Sequence, residues 1–155
     1  MTDRETLRRI ADAHADFYSN HVGRSMEDFV QEWWSPDIKF YPNGTGTPFN
    51  LEQFMLGHSA DAGFSWDETH MEVQHVIVGD DSFMIQMAIT QWRSHAADAQ
   101  AAGGNGSEPT EYQQAAVPAV NVYRVADGKV VRSDMYIILS ALGPAAAAAA
   151  AALPS

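Results

Sequence analysis

The stretch "AAVPAVNVYRVADGKVV", residues 115–131, decides the fold. An apolar run, a break at Ala-Asp-Gly-Lys and a second apolar run read as a strand, a tight turn and a returning strand. Pro118 marks a bulge or an edge position, because proline cannot donate to a sheet ladder. One residue breaks the pattern. Asn121 is an amide among Val and Ala, and a buried amide without partners is costly. Either the fold or a ligand must satisfy it.

Outward from this hairpin, the period of two continues on both sides. "THMEVQHVIV" (69–78) is a strand, "GDD" a turn and "SFMIQMAITQW" (82–92) a second strand. "YQQAAVPAVNVYRV" (112–125) is the third, and "VVRSDMYIIL" (130–139) the fourth. Upstream the spacing becomes helical. Thr2 and Glu5 form a capping box, and Leu7, Ile10, Ala11, His14, Phe17, Tyr18 and Val22 follow it up to Gly23. Ser25 and Asp28 open a second helix with Met26, Phe29, Val30, Trp33 and Trp34 in one stripe, stopped by Pro36. "IKFY" (38–41) is a short strand and "PNGTGTP" (42–48) a loop. Asn50 caps a third helix carrying Leu51, Phe54, Met55 and His58, closed by Gly63. Helices followed by a long antiparallel meander predict an α+β fold, with the sheet curled around the helices.

A chain of 155 residues fits one domain with a sizeable core. The domain is expected over residues 1–142, with an Ala-rich tail at 143–155 and a Gly/Ala/polar insert at 94–110. No apolar run approaches the roughly 20 residues of a membrane span, and no secretory signal opens the chain. The absence of cysteine excludes disulfides and thiolate metal sites and fits a cytoplasmic protein. A formal net charge of −11 weighs against nucleic acid and anionic membranes as partners. No HExxH, paired H-x-H, Walker loop, dinucleotide fingerprint or Gly-x-Ser-x-Gly elbow occurs, so neither a metal nor another cofactor is expected.

The order of elements resembles the NTF2-like superfamily, in its SnoaL-like, ketosteroid-isomerase-like and scytalone-dehydratase-like branches. The resemblance spans about residues 5–142: three helices, a short strand after the second, and four long strands ending in the "DGKVV" hairpin. It implies a cone of curved sheet and helices around an apolar pocket, and homodimers formed through the sheet's outer face. Arg132, Asp134 and Tyr136 would stand on that outer face.

Registered on "YSNHVGRSMEDFVQEWW" and "YRVADGKVV", the isomerase-like branch puts Tyr18 at its oxyanion-hole tyrosine. The same register puts Asn121 at the second donor and Tyr41 at the general base, where a tyrosine is a poor proton acceptor at neutral pH. The epoxide-hydrolase positions fall on Met87, Ile89 and Met135, all apolar, which removes that way of activating water. The dehydratase-like branch implies His70, in "ETHMEVQ", as the proton carrier. His14 on an apolar helix stripe reads as core, and His75 as having opposite strand parity to His70. The resemblance therefore implies a pocket walled by Trp34, Phe54, His58, Met87, Ile89 and Met135, with Tyr18, Tyr41, His70 and Asn121 as its polar groups. An enzyme acting by acid–base chemistry on a small hydrophobic, oxygenated molecule and a non-catalytic binder of such a molecule both fit. A titrating base near the donors separates them, and a His70 ring in bulk solvent away from Tyr18 favours the binder.

Overall fold

The computed structural model describes residues 1–57, 69–92 and 113–137. The His58 assignment, Trp66, the 94–110 insert and the 143–155 tail fall outside these residues.

Local chemistry starts each helix. Helix α1, Arg4–Ser19, is capped by Asp3, whose carboxylate accepts from the Thr6 backbone N–H at 2.8 Å. This corrects the capping box expected at Thr2: both residues suit an N-cap, and the carboxylate one position later takes the role. Leu7, Ile10, Ala11, His14, Phe17 and Tyr18 are buried along one face, whereas Val22 lies past the helix and is exposed. Ser25 caps α2, Met26–Trp33, by accepting from the Asp28 N–H. Asn50 and Gln53 cap the short α3, Leu51–Gly57, reciprocally: each side-chain oxygen accepts the other's backbone N–H at 2.9 Å.

Trp34 was expected on the helical stripe of α2. Instead it is extended and begins strand β1, Trp34–Pro42, with Pro36 inside the strand rather than ending a helix. Proline is tolerated here because β1 is an edge strand. The remaining strands are β2 (His70–Val78), β3 (Ser82–Trp92), β4 (Gln113–Ala126) and β5 (Lys129–Ile137). They form one five-stranded sheet in the order β1-β5-β4-β3-β2, a β2–β5 antiparallel meander extended by β1 parallel to β5. Asp127 and Gly128, with φ of 51° and 75°, make the tight turn of the β4–β5 hairpin. This is the curved α+β architecture expected of the NTF2-like fold.

The meander's register sorts residues to two faces. Phe83, Tyr123, Ser133 and Phe40 stand abreast across four strands, and all are buried. Ile85, Asn121 and Met135 make the next inward row, followed by Met87, Ala119 and Ile137. Helix α1 lies against β2 and β3, while α2 and α3 pack on β1. Between them Phe40 stacks on Phe54 at 4.4 Å and on Phe49 at 5.1 Å, and Phe17 on Phe29 at 4.0 Å. Trp34 meets Phe29, Phe40 and Phe54 edge-on. Edge-on and offset-stacked ring pairs of this kind each add roughly 0.5–1.5 kcal/mol beyond the area they bury.

Candidate functional site

Three polar side chains meet on the inner face. Helix α1 delivers Tyr18 from its last turn, and β4 delivers Asn121 and Tyr123, two residues apart and therefore on the same side. The Tyr18 and Tyr123 hydroxyls are hydrogen-bonded to each other. Asn121 Nδ2 donates to the Tyr123 hydroxyl at 2.9 Å. The fold thus satisfies one amide proton of Asn121. The amide oxygen has no hydrogen-bond partner among the described residues, and the residue is half-buried. Tyr123 is only 1% exposed and Tyr18 is buried. Burial raises the pKa of Tyr18, offset in part by its bonds to Tyr123 and Asn121. Burial likewise raises Tyr123 well above the ordinary phenol value, reinforced by the neighbouring Tyr18. Both phenols are therefore neutral over any ordinary pH range. The cluster is a chain of neutral hydrogen-bonding groups rather than an acid–base pair.

The Tyr123 hydroxyl links Asn121 to Tyr18. Tyr123 escaped the sequence reading, although its parity with Asn121 was the signal that places it there.

Behind this cluster lies His14, fully buried and ringed by Phe29, Phe83 and Tyr123. Its Nδ1 donates to the Ile10 carbonyl at 2.7 Å, and its Nε2 accepts from the Trp34 indole N–H at 2.8 Å. These bonds require the neutral Nδ1–H tautomer. Desolvation lowers its pKa to about 4, with the Ile10 bond opposing the shift. With its lone pair taken by Trp34, His14 is a structural residue and not a free base.

Two expected site residues lie elsewhere. Tyr41 alternates with the buried Ile38 and Phe40, so it faces the outer side of the sheet. There the Arg132 guanidinium sits 3.9 Å from the centre of its ring, and Arg132 also grips Asp134 with two bonds of 2.8 and 2.7 Å. Tyr41 therefore cannot join Tyr18 and Asn121, and its place as a polar group of the pocket is corrected. His70 is exposed at the start of edge strand β2. It pairs with Gln91, whereas Asn121 pairs with Ile85. That separation along β3 is about 20 Å of strand. A bulge between Val73 and His75 breaks the strict parity between His70 and His75, and both are exposed. Among the described residues, no three His, Cys, Asp or Glu come together as a metal site would require.

Of the expected pocket walls, Trp34, Phe54, Met87 and Ile89 are buried, and Met135 is half-buried beside Asn121.

Residues 14–133 match the family described as the SnoaL-like domain. No curated protein matches the sequence. Among solved structures, the chain is similar to a provisionally assigned SnoaL-like polyketide cyclase from Jannaschia sp. CCS1. The TM-score is 0.63 at 18% identity, covering 99% of each chain. A provisionally assigned hydroxylase, AclR from Streptomyces galilaeus, gives a TM-score of 0.63 at 18% identity over 88% of this chain and 93% of that one. A de novo designed protein with a curved β-sheet gives 0.58 at 14% identity, over 98% of this chain and 100% of that one. A designed sequence adopts the same fold as the two natural ones, so at this level of identity the likeness is one of fold.

Proposed function

The chain belongs to the SnoaL-like domain family, and from that premise we propose a cofactor-independent enzyme of cyclase, isomerase or lyase type. Its substrate is a small hydrophobic, oxygenated molecule of polyketide, terpenoid or steroid-like character, held against the inner face. The observation that carries this reading is the Tyr18–Tyr123–Asn121 chain, which brings neutral hydrogen-bonding groups into an apolar setting where a substrate oxygen can be polarised. Pre-aligned dipoles in a dry site stabilise developing charge far better than water does. Chemistry of this kind needs no redox or metal group. The polyketide character draws on the provisional description of the Jannaschia relative.

The placement of His70 and Tyr41 favours a second reading, a non-catalytic binder. Neither reaches the donor chain, and His14 has no lone pair to offer. Deuterium exchange separates the two. With β-tetralone in heavy water, an enzyme accelerates exchange beside the carbonyl, and Asn121→Leu slows it by roughly ten- to a hundredfold. Tight binding by calorimetry with exchange no faster than in buffer leaves only the binder.

A further inference from the structure

The donor chain has a direction, and the direction has consequences for the ligand. Tyr123 carries a single hydroxyl proton. Its oxygen accepts from the Asn121 amide, and it shares one further hydrogen bond with the Tyr18 hydroxyl. Asn121 is thereby anchored by its nitrogen. Its amide oxygen has no hydrogen-bond partner among the described residues, and the residue stands half-buried beside half-buried Met135.

We propose that Tyr123 is the specificity-determining positioning residue of this site: by holding the Asn121 nitrogen it turns the amide oxygen toward the ligand and selects a ligand hydroxyl at that point. This rests on the reading that the inner face binds an oxygenated molecule. A ligand hydroxyl satisfies the amide oxygen by donating to Oδ1. A ligand carbonyl has no proton to give and leaves the amide oxygen unpaired as water is expelled. The unpaired acceptor is what costs affinity. The two phenols behind Asn121 keep its orientation and do not touch the ligand.

The test uses three probes of one shape: β-naphthol, its methyl ether and the corresponding methyl ketone, each titrated into the full-length protein by calorimetry. The expected result is that the naphthol binds roughly ten- to a hundredfold more tightly than the ether or the ketone. Asn121→Leu should bring the naphthol-to-ether ratio to about one. Tyr123→Phe releases the amide to turn over, so the naphthol advantage should shrink and ketone affinity should rise. A merely structural role for Tyr123 would weaken all three probes alike and would overturn the proposal. So would a ketone preferred by the unmodified protein, which means the amide is turned the other way. Equal binding of all three probes sinks this inference and leaves the binding site standing, whereas binding of none removes both. If Tyr123→Phe does not fold, the Asn121→Leu ratio decides alone: a naphthol preference that survives in it overturns the proposal.

Discussion

At the scale of single residues, Asn121 and His14 show two ways of housing a polar side chain in an apolar interior. Asn121 is half-satisfied, and that makes it informative. Asn121→Leu removes one hydrogen bond but also the desolvation of an amide, while Tyr123 keeps its bond to Tyr18. Stability should fall by no more than about 1 kcal/mol, and ligand affinity by about 1–3 kcal/mol. Denaturant midpoint and calorimetric affinity, measured on that one variant, check both halves; a large stability loss with intact binding would make Asn121 scaffold. His14 is the opposite case, fully satisfied and neutral. Its pKa is about 4 in the folded protein, against an ordinary 6.5 when exposed in the unfolded chain. Between those values the unfolded state binds the extra proton. The stabilisation is thus complete above pH 6.5 and is lost as pH falls toward about 4, a total of about 3 kcal/mol. Protonation also turns Nε2 from acceptor to donor and breaks the bond from Trp34. Denaturant midpoints between pH 4 and pH 7 should slope upward, and His14→Leu should flatten that part of the slope.

At the scale of elements, what was legible depended on how local the deciding force was. Strands β2–β5, the β4–β5 turn and the caps at Ser25 and Asn50 were all readable, because alternation, an Asp-Gly pair and cap chemistry act within a few residues. Trp34 was not, because the switch from helix to strand at "WWSPD" is made by packing against Phe29, Phe40 and Phe54. Tyr41 was misplaced for another reason. Its role came from the register with the isomerase-like branch, yet alternation with Ile38 and Phe40 already pointed it outward. Parity was the better guide there, and it also held the clue to Tyr123. The loop after β1 shows a tertiary demand on backbone chemistry. Gly44 has φ of 71°, and a Cβ built on it would lie 2.2 Å from the Tyr136 hydroxyl. Gly44→Ala should destabilise by about 1–2 kcal/mol, read from the thermal midpoint. In a Tyr136→Ala background the contact part of that penalty should vanish and only the backbone part remain. An equal penalty in both backgrounds would show that the contact is irrelevant.

At the scale of the whole molecule, the outer face of the sheet remains without a covering layer among the described residues. Ile77, Met84 and Val122 run across three strands in register, and the row ends at Asp134 and Tyr41. Ile77 is 58% exposed and Tyr136 44% exposed, while Met84, Val120 and Val122 are half-buried. Apolar side chains aligned across a sheet face make a surface that gains from being covered. Beside that row Arg132 is already committed to Asp134 and to the ring of Tyr41, so little further desolvation is needed to bury that pair. A protein with a formal net charge of −11 repels its own copies at long range. Self-association must therefore use a face where carboxylates are scarce or paired, and this row is such a face. The expected state is a homodimer with the outer faces together. Light scattering at micromolar concentration should give twice the chain mass. Val122→Glu should give the single mass with an unchanged far-ultraviolet circular dichroism spectrum, because association would have to bury a new carboxylate in the middle of the apolar row. A monomeric unmodified protein, or a Val122→Glu variant that stays dimeric, would place the association elsewhere or remove it.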